Sequence, residues 1–382
     1  METFSPPFTP PFCPNPVCVH HRASFGIYSS YVHYGHHDTK AFGPVPRYRC
    51  SSCGKTFSRQ TFRLSYYLKR VLDFSLIESS LVSSCAIRAT GRLLDASCAS
   101  VSNRIARMSR QTLALSSRLA FSRTPAEDLA ADGFESFCVS QFHPNNITFL
   151  AGQASQFVFS FDHATLRRKG RMTPAQRRKR ARLDLLFRPH PSALTKSFSS
   201  LLSTLTPFLF DSSRSSLTLW TDEKKEYRRA LRKHCPCAFL EREERLHHRT
   251  ISSRAARTRD NPLAAVNYLD REFRKDLHEH SRETVCFARN VNNQMDRMSL
   301  YLFHHNFRKH FRIGGKGEDE RTHGEVAGYA KEAIERECSR LWIDRAISTR
   351  ENLGELDRLT WFRKRVTPLK IGPEYRPIRV SA

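Results

Sequence analysis

Two closely spaced pairs of cysteines constrain the fold more than any other feature of this sequence. The motif CPNPVC runs from Cys13 to Cys18, the motif CSSC runs from Cys50 to Cys53, and Gly54 follows the second pair. Four thiolates presented by two tight turns can surround one Zn²⁺ ion, and the ion then folds a segment too small to fold alone. Glycine permits the backbone turn that such a pair requires. The sequence therefore predicts a zinc ribbon over 13–60, after a flexible leader at 1–12.

Several histidines lie close to the cysteines in the sequence. The first pair is separated by four residues, which is wider than the usual two, and His20 and His21 are near enough to replace a ligand. A set of free thiols is the alternative interpretation. His33, His36 and His37 are interpreted as surface or DNA-facing residues rather than ligands.

The cysteine count bears on the cellular compartment. The chain has 11 cysteines, an odd number, and those outside the two pairs are scattered. This is not the pattern of a disulfide framework, and it favours a reducing compartment with one metal site.

The chain carries a large positive charge. Lys and Arg number 63 against 37 Asp and Glu, which gives +26 over 382 residues, a length typical of two or three domains. Such an excess repels itself unless an acidic partner is near, and nucleic acid is the commonest such partner. No apolar run approaches the ~18–20 residues of a membrane span, and the opening METFSPPFTPPF is unlike a signal peptide. We therefore expect a protein that binds nucleic acid and no membrane.

Residues 61–124 are predicted to be helical, and the stretch from Ile87 to Ile105 has the pattern of a helix-turn-helix. Ala89 and Gly91 are small where a second helix must approach, and Asp95 to Ser97 supplies a turn whose serine can cap the next helix. A plain helical hairpin with a basic face is the alternative interpretation. The second helix would present residue types that reach base edges and phosphates: Ser100, Asn103, Arg104 and Arg107.

Near Pro125 the sequence changes to short aromatic and β-branched segments that alternate with charged ones. Strands are predicted at 128–140, 146–161 and 215–221, and helices within 188–216, 223–250, 262–312 and 322–348. Between His163 and Leu183 there are nine Lys and Arg and no acid. This stretch is interpreted either as a solvated basic surface or as a contact for DNA phosphates. The phosphate contacts would be Arg177, Arg178, Lys179 and Arg180.

Acidic residues stand at three informative positions. Asp132 lies inside a predicted strand, Asp222 at the end of another, and Asp270 in a predicted helix. Two strand carboxylates and one helix carboxylate can hold a pair of Mg²⁺ ions ~3.5–4 Å apart, which clamp the attacking and leaving oxygens of a phosphodiester. Each aspartate alone is more typical of a cap or a surface residue. The set, behind a DNA-binding N-terminal region, favours a catalytic metal site.

Taken together, these motifs resemble the insertion-sequence transposases of the DDE type. The N-terminal part resembles their InsA-like zinc ribbon and helix-turn-helix through CPNPVC, YRCSSCGKTFS and IRATGRLLDAS. The later part resembles them through LTLWTDEKKEYRRAL and through the helix that leads to Arg282, Thr284 and Phe287, followed by Tyr301 and Asn306. The resemblance covers roughly 13–312.

The resemblance implies a multidomain α+β protein. Residues 125–312 would form an RNase H-like α/β catalytic domain, a mixed sheet with helices on both faces. Residues 313–382 are predicted to be a linker and a helical C-terminal tail. In the family's pattern the slot of the final Glu holds Asn267, and Asp270 lies one helical turn further on the same face. Asp270 therefore ranks first as the third metal ligand, Asn267 second as a neutral ligand, and Glu272 third.

The function implied is DNA transposition by Mg²⁺- or Mn²⁺-dependent strand cleavage and transfer. The partners would be double-stranded DNA at element ends and target and a second copy of the chain, on the chromosome in a prokaryotic cytoplasm. Arg271 and Arg274 would hold backbone phosphates.

Other functions are weighed against this one. The first alternative is a non-enzymatic zinc-ribbon and helix-turn-helix regulator, or an inactive transposase relic. A structural RNA-binding protein is a second alternative, since the 27 phenylalanines would offer stacking surfaces, but these residues lie in apolar patterns typical of a core. Tyr- or Ser-dependent recombinases are disfavoured because no local Arg/His/Tyr arrangement points to them.

Overall fold

The fold is given by a computed structural model that describes residues 8–23, 30–120, 126–211, 216–281, 285–312 and 319–370. The strands are β1 (Tyr31–Thr39), β2 (Gly43–Cys50), β3 (Thr56–Ser58), β4 (Leu129–Phe137), β5 (Pro144–Gly152), β6 (Val158–Thr165), β7 (Leu217–Thr221), β8 (Leu246–Thr250), β9 (His310–Arg312) and β10 (Asp319–Thr322). The helices are α1 (Val19–Arg22), α2 (Phe74–Val82), α3 (Ile87–Leu93), α4 (Cys98–Ala120), α5 (Pro174–Leu186), α6 (Ala193–Asp211), α7 (Lys225–Lys233), α8 (Cys235–Arg242), α9 (Ala264–Asp276), α10 (Val291–Phe307), α11 (His323–Val326), α12 (Lys331–Ser339) and α13 (Glu355–Trp361).

The N-terminal unit is a small antiparallel sheet in the order β1-β2-β3 with an aromatic core. Phe12 meets Phe62 with ring centroids 5.1 Å apart, and Phe8 meets Tyr48 at 5.6 Å. The prediction of a flexible leader is therefore wrong for residues 8–12, because their rings complete the apolar core of this sheet. Residues 1–7 of the predicted leader lie outside the described residues.

Helices α3 and α4 are joined by the predicted tight turn. Asp95 has a φ of +46°, and the N–H of Ser100 donates to the hydroxyl of Ser97 at 3.1 Å. A Cβ on Gly91 would lie 2.7 Å from the carbonyl oxygen of Ala96. Only glycine permits so close an approach, so the small residue, the turn and the cap are all as predicted.

The predicted boundary near residue 125 does not divide the hydrophobic core. Val101, Ile105 and Met108 of α4 belong to the same buried cluster as Met295 and Met298 of α10. The apolar face of α4 therefore packs on helices that follow the central sheet in the sequence. The helices before residue 120 and the sheet after residue 126 share one core.

The central sheet has five strands in the order β6-β5-β4-β7-β8. β5 is antiparallel to both of its neighbours, whereas β4, β7 and β8 run parallel. The strand predicted at 146–161 is in fact the end of β5 and the start of β6, joined by a turn in which Gln156 has a φ of +58°. β8 lies in a segment predicted to be helical. Only Leu246 of this strand is buried, and the residues after it are polar or basic, which is typical of an edge strand.

Helices cover both faces of this sheet. Leu129 and Ala131 of β4 are buried in a cluster with α6, α7 and α8, and Ala130 and Phe134 are buried in the cluster that contains α9 and α10. This alternation is the period of two expected for a strand buried on both faces. The architecture is thus a mixed α/β fold. Among the described residues, no helix combines the length and apolar character that crossing a bilayer requires.

Residues 319–370, the C-terminal segment, belong to the core and do not form the linker and helical tail predicted for 313–382, of which 313–318 and 371–382 lie outside the described residues. The helix predicted at 322–348 is replaced by the short α11 and α12 and an irregular stretch. Trp361 of α13 is 4% exposed and packs with Leu113 and Ala114 of α4. A buried tryptophan anchors the segment in a way that its polar sequence did not indicate.

Two buried arginines fix the end of this segment. Arg363 pairs with Asp296 of α10, and Arg365 pairs with Asp162 of β6 at 2.5 Å. Asn292 exchanges two hydrogen bonds with the backbone of Arg365, at 2.8 and 3.0 Å. The segment after α13 therefore joins α10 to the edge of the central sheet.

Candidate metal centres and acidic site

The four cysteines of the two pairs converge on one point. Their sulfur atoms all lie within 4.8 Å of one another, with 3.5 Å between Cys13 and Cys53 and 3.8 Å between Cys18 and Cys50. Four sulfurs bound tetrahedrally at about 2.3 Å from zinc lie about 3.8 Å apart. Gly54 makes the turn with a φ of +71°. The predicted cluster is confirmed, and its geometry is compatible with a structural Zn²⁺ ion.

Neither neighbouring histidine competes for this position. His21 bonds the carbonyl oxygen of Cys13 through Nδ1 at 2.7 Å and the hydroxyl of Thr349 through Nε2 at 2.8 Å. His20 bonds the hydroxyl of Ser52 at 2.9 Å. The prediction that either might replace a cysteine is wrong, because both rings hold other parts of the chain in place.

The ionisation of Cys53 and the exposure of β1 complete the description of the ribbon. Burial opposes ionisation, but hydrogen bonds led by the backbone of Lys55 lower the pKa of Cys53 to about 7. This is the direction that favours a thiolate ligand. His33, His36 and His37 are exposed on β1, as surface residues should be.

Asp132 and Asp222 come together where strands β4 and β7 part. Asp132 is one residue beyond the last β4–β7 pair, and Asp222 directly follows β7. The Nζ atom of Lys224 lies 2.8 Å from Oδ1 of Asp132 and 3.0 Å from Oδ2 of Asp222. Parallel pairing therefore brings two residues 90 positions apart into one ion-pair network.

This network is held by further donors. Oδ1 of Asp132 accepts from the N–H of Gly133 at 2.6 Å and lies 3.5 Å from the hydroxyl of Tyr227. Oδ1 of Asp222 accepts from the N–H of Lys224 at 3.0 Å. Burial opposes the charge on Lys224, but Tyr227, Asp132 and Asp222 raise its pKa above the usual value. Lys224 therefore stays cationic and offsets one of the two negative charges while it contacts both aspartates.

Asp270 of α9 adds a third carboxylate near Asp132. Its Oδ1 atom is buried and has no hydrogen-bond partner among the described residues. Burial, followed by the charge of Asp132, raises the pKa of Asp270 to about 7. A buried acceptor without a donor is unfavourable, and a cation held by Asp132 and Asp270 would satisfy it. The carboxylates thus suit a hard divalent cation in their chemistry.

The two other candidates for the third ligand differ in position. Asn267 is half-buried on α9, one turn before Asp270. Glu272 is 4% exposed and accepts hydrogen bonds from Lys275, at 2.9 Å, and from Lys309. The prediction of Glu272 as a ligand is wrong, because two lysines elsewhere already satisfy its carboxylate.

The three aspartates do not form a complete set of metal ligands in this structure. Within the described ranges, the four cysteines are the one group of three or more possible ligands whose donor atoms all lie within 4.8 Å of one another. The ammonium of Lys224 instead joins Asp132 to Asp222. For these two carboxylates to bind a cation, Lys224 must release at least one of them.

The arginines predicted to reach DNA from α4 are turned inward. Arg104 is 8% exposed and donates to the carbonyl of Arg70 at 2.6 Å. Arg107 donates to the carbonyls of Leu64 and Tyr66 at 3.2 and 2.7 Å. The prediction that both point outward is wrong, because irregular backbone beside α4 has carbonyl groups that need donors.

The other two predicted contacts on α4 lie at its start. Ser100 is half-buried, with its hydroxyl 3.1 Å from that of Ser97. Asn103 is half-buried and accepts from Nε of Arg107 at 3.3 Å. DNA contact by these two residues stays a prediction.

The second half of the basic stretch lies in helix α5, which has no buried residue. Arg177, Arg178 and Lys179 are exposed, and Arg180 donates to the carbonyl of Arg168 at 3.0 Å. The helix is therefore a solvated basic surface. Its contact with DNA phosphates stays a prediction.

The two arginines of α9 flank the acidic site. Arg271 is exposed and lies 5.5 Å from the ring centroid of Tyr268. Arg274 lies 4.7 Å from the ring centroid of Phe134 and lowers the pKa of Asp270 against the effect of burial. Arg274 is thus the basic residue of this pair that contributes directly to the electrostatics of the site.

Sequence reasoning missed Lys224 and Tyr227. Tyr227 is fully buried, and its hydroxyl reaches Asp132 from α7. The one signal available was a lysine two residues after a strand-end aspartate, in the run TDEKKEYRR. Such a lysine is common at the start of a charged helix, so its link to Asp132 depends on the fold.

The described residues of the closing motif have structural contacts. Phe287 packs on Phe137 with ring centroids 5.0 Å apart, and Asn306 exchanges two 2.9 Å hydrogen bonds with the backbone of Val158. Tyr301 donates to Asp276 at 2.8 Å. Arg282 and Thr284 lie outside the described residues.

No protein-family model matches the chain, and no curated protein matches it either.

Proposed function

We propose that this chain is a DNA-binding enzyme of the DDE transposase type, which cleaves and transfers DNA strands at element ends. The observation that carries the proposal is the convergence of Asp132, Asp222 and Asp270 from two adjacent parallel strands and one helix. The mixed five-stranded sheet, with helices on both faces, supports the RNase H-like domain that the resemblance implies. Carboxylates in such a group are the ligands that phosphodiester chemistry with Mg²⁺ requires.

Asp132, Asp222 and Asp270 would hold Mg²⁺ or Mn²⁺, with Asn267 as a neutral ligand one turn away. When bound, the ion supplies activation of the attacking water or 3′-hydroxyl and stabilisation of the leaving oxygen. Without the ion, Lys224 pairs with the two strand carboxylates and offsets one of their two charges. Tyr227 keeps Asp132 oriented through its buried hydroxyl.

The DNA would be held by the basic surface. Arg274 lies beside the acids, Arg271 is exposed on the same helix, and α5 offers further solvated cations. The net charge of +26 supports binding to a polyanion. Joining two DNA ends in one reaction calls for at least two copies of the chain, on the chromosome of a prokaryotic cell.

Strand cleavage is the decisive test of this proposal. Purified protein would be mixed with a labelled duplex taken from the DNA that flanks the coding region, with and without Mg²⁺. We expect cleavage that needs Mg²⁺ and falls at least a hundredfold in Asp222→Asn, because a metal ligand is lost. The matched control is Asp260→Asn, which changes an exposed aspartate outside the cluster and should cleave as the wild type does.

Binding of the same duplex separates the possible outcomes. We expect Asp222→Asn to bind DNA within about threefold of the wild type, since its charge change is small against the whole basic surface. Cleavage retained by Asp222→Asn would remove this residue from the site.

One observation favours a second function, that of a DNA-binding regulator or inactive relic. Lys224 already satisfies Asp132 and Asp222, and Asn267 stands where the family has its final acid. A protein of this kind would bind the duplex and leave it uncut at any Mg²⁺ or Mn²⁺ concentration, in the wild type as in Asp222→Asn.

A further inference from the structure

A cavity of about 320 Å³ lies between β6, the start of α6 and the segment after α13. We call it the α6 pocket. Asp162 on its wall is aligned through Thr148 with Gly133, the residue after Asp132. Asp132 lies on β4, which is two strands away from β6 in the order β6-β5-β4-β7-β8. The α6 pocket is therefore separate from the acidic site.

The lining of the α6 pocket is basic. Lys196 of α6 and Lys364 are exposed at its edge, and Arg365 forms part of its wall. The acidic residue of the lining is Asp162, which Nη1 of Arg365 already contacts at 2.5 Å. Three cations against one acid leave an excess of two positive charges, so the pocket favours an anion.

Two residues of the pocket lining have buried polar atoms without partners. Among the described residues, nothing bonds Nε and Nη2 of Arg365, whose side chain is 7% exposed. The hydroxyl of Ser197, a residue 5% exposed, is likewise without a partner. Unpaired buried donors are unfavourable, and an oxyanion with several acceptor oxygens would pair with them.

The start of α6 strengthens the same preference. Ala193, the first residue of this 19-residue helix, lies on the pocket wall, and its own N–H donates to the carbonyl of His190 at 3.0 Å. The first N–H groups of a helix have no partner within the helix and carry partial positive charge, which attracts phosphate groups. Phe187, which directly follows helix α5, also lines the pocket.

We propose that the α6 pocket binds a phosphate group, either of a nucleic-acid backbone or as a free oxyanion. Arg365 and Ser197 supply the buried donors, the N-terminus of α6 supplies the dipole, and Lys196 and Lys364 supply the charge. Binding of phosphate follows from the pocket itself. The proposed function is needed only for the narrower statement that the bound phosphate belongs to a DNA backbone.

The first arm of the test uses inorganic phosphate and the full-length protein, titrated by calorimetry at constant ionic strength. We expect one phosphate per chain, bound at least tenfold more weakly by the double variant Lys196→Ala and Lys364→Ala, and about threefold more weakly by Ser197→Ala. Both lysines are exposed, so the double variant should fold. The matched control is Lys233→Ala with Lys331→Ala, which removes two exposed lysines away from the pocket.

The second arm uses a nonspecific 20-base-pair duplex over a range of salt concentrations. If a backbone phosphate enters the pocket, the slope of log affinity against log salt should be less negative by about 0.9 in the double variant than in the control. Weaker phosphate binding with unchanged duplex binding would identify a free oxyanion as the ligand. The proposal is overturned if the double variant matches its control in both arms. Cleavage by the acidic site is measured separately, so failure of one proposal leaves the other intact.

Discussion

At the scale of single residues, two acids of α9 have opposite electrostatic roles. Asp270 has a buried oxygen without a donor, whereas the carboxylate of Glu272 contacts Lys275 and Lys309. Burial and Asp132 raise the pKa of Asp270 to about 7. Burial acts in the same direction on Glu272, but its two lysines outweigh it and lower its pKa. The acid without a donor is the one that faces the proposed metal site.

The stability of Asp270→Asn should reveal this difference. The unfolded chain has an Asp pKa near 3.9, so between about pH 4 and 7 the folded state binds more protons and loses stability as the pH rises. Without added divalent cation, Asp270→Asn should be more stable than the wild type by roughly 1–3 kcal/mol at pH 8, and the gain should vanish towards pH 4. Urea unfolding at both pH values measures it.

Glu272→Gln serves as the matched control for that experiment. The contribution of Glu272 is present above its unfolded pKa and is lost as the pH falls through the lowered folded pKa. Glu272→Gln should therefore be less stable than the wild type at pH 8. Equal destabilisation by both variants at pH 8 would contradict the unpaired state of Asp270.

At the scale of elements, the contact between α3 and α4 depends on one missing side chain. Gly91 is buried, and a Cβ there would lie 2.7 Å from the carbonyl oxygen of Ala96. The obstacle is backbone, which cannot rotate away as a side chain can. The turn from Asp95 to Ser97 and the direction of α4 are therefore fixed together.

Gly91→Ala should destabilise the protein by roughly 1–3 kcal/mol, since the backbone must shift to admit the methyl group. In an unobstructed helix, replacing glycine by alanine stabilises the protein by about 1 kcal/mol, so the sign of the change in unfolding free energy reveals the close contact. Thermal unfolding followed by circular dichroism gives the measurement. The control is Gly354→Ala, where φ is −65° and the nearest atom is 3.7 Å away. Stabilisation by Gly91→Ala would show that the two helices are not packed this closely.

At the scale of the whole molecule, the C-terminal segment connects units that are distant in the sequence. The N–H of Arg345 donates to the carbonyl of Phe62, and the N–H of Leu64 donates to that of Ile343, both at 2.9 Å. Thr349 bonds His21 beside the cysteine cluster. The ribbon, the helices and the sheet are therefore held together by residues near the end of the described chain.

Glu78 of α2 contacts both the end of α10 and the C-terminal segment. Its carboxylate is bonded by His304 at 3.2 Å, Arg308 at 2.8 Å and Trp342 at 2.9 Å, and Glu78 itself is 3% exposed. Breaking a buried ion pair from one side leaves the partner charge uncompensated.

Glu78→Gln should lower the free energy of unfolding by roughly 2–4 kcal/mol in urea denaturation. Glu332→Gln, on the exposed side of α12, should change it by less than about 0.5 kcal/mol. A small effect of Glu78→Gln would mean that the C-terminal segment adds little to the stability of the whole.

Features that depend on residues close together in the sequence could be predicted, whereas features that depend on distant residues could not. The two cysteine pairs, the turn before α4 and the strands β4 and β7 were predictable because each depends on neighbouring residues. The inward turn of Arg104, the strand β8 and the packing of Trp361 were not. Each is fixed by segments far away in the sequence, which local patterns do not reveal.

The sequence by itself determined the four thiols of the ribbon, because two tight turns carry their ligands wherever the turns are placed. It also determined that acids end or interrupt particular strands and that the chain as a whole is strongly basic. Only the tertiary structure decided that Lys224 joins Asp132 to Asp222, and that Arg365 meets Ser197 in one pocket. The parallel pairing of β4 with β7 brings Asp132 and Asp222 together, and the packing of the C-terminal segment against β6 places Arg365 in the pocket. Contacts between residues so far apart in the sequence depend on the packing of the entire core.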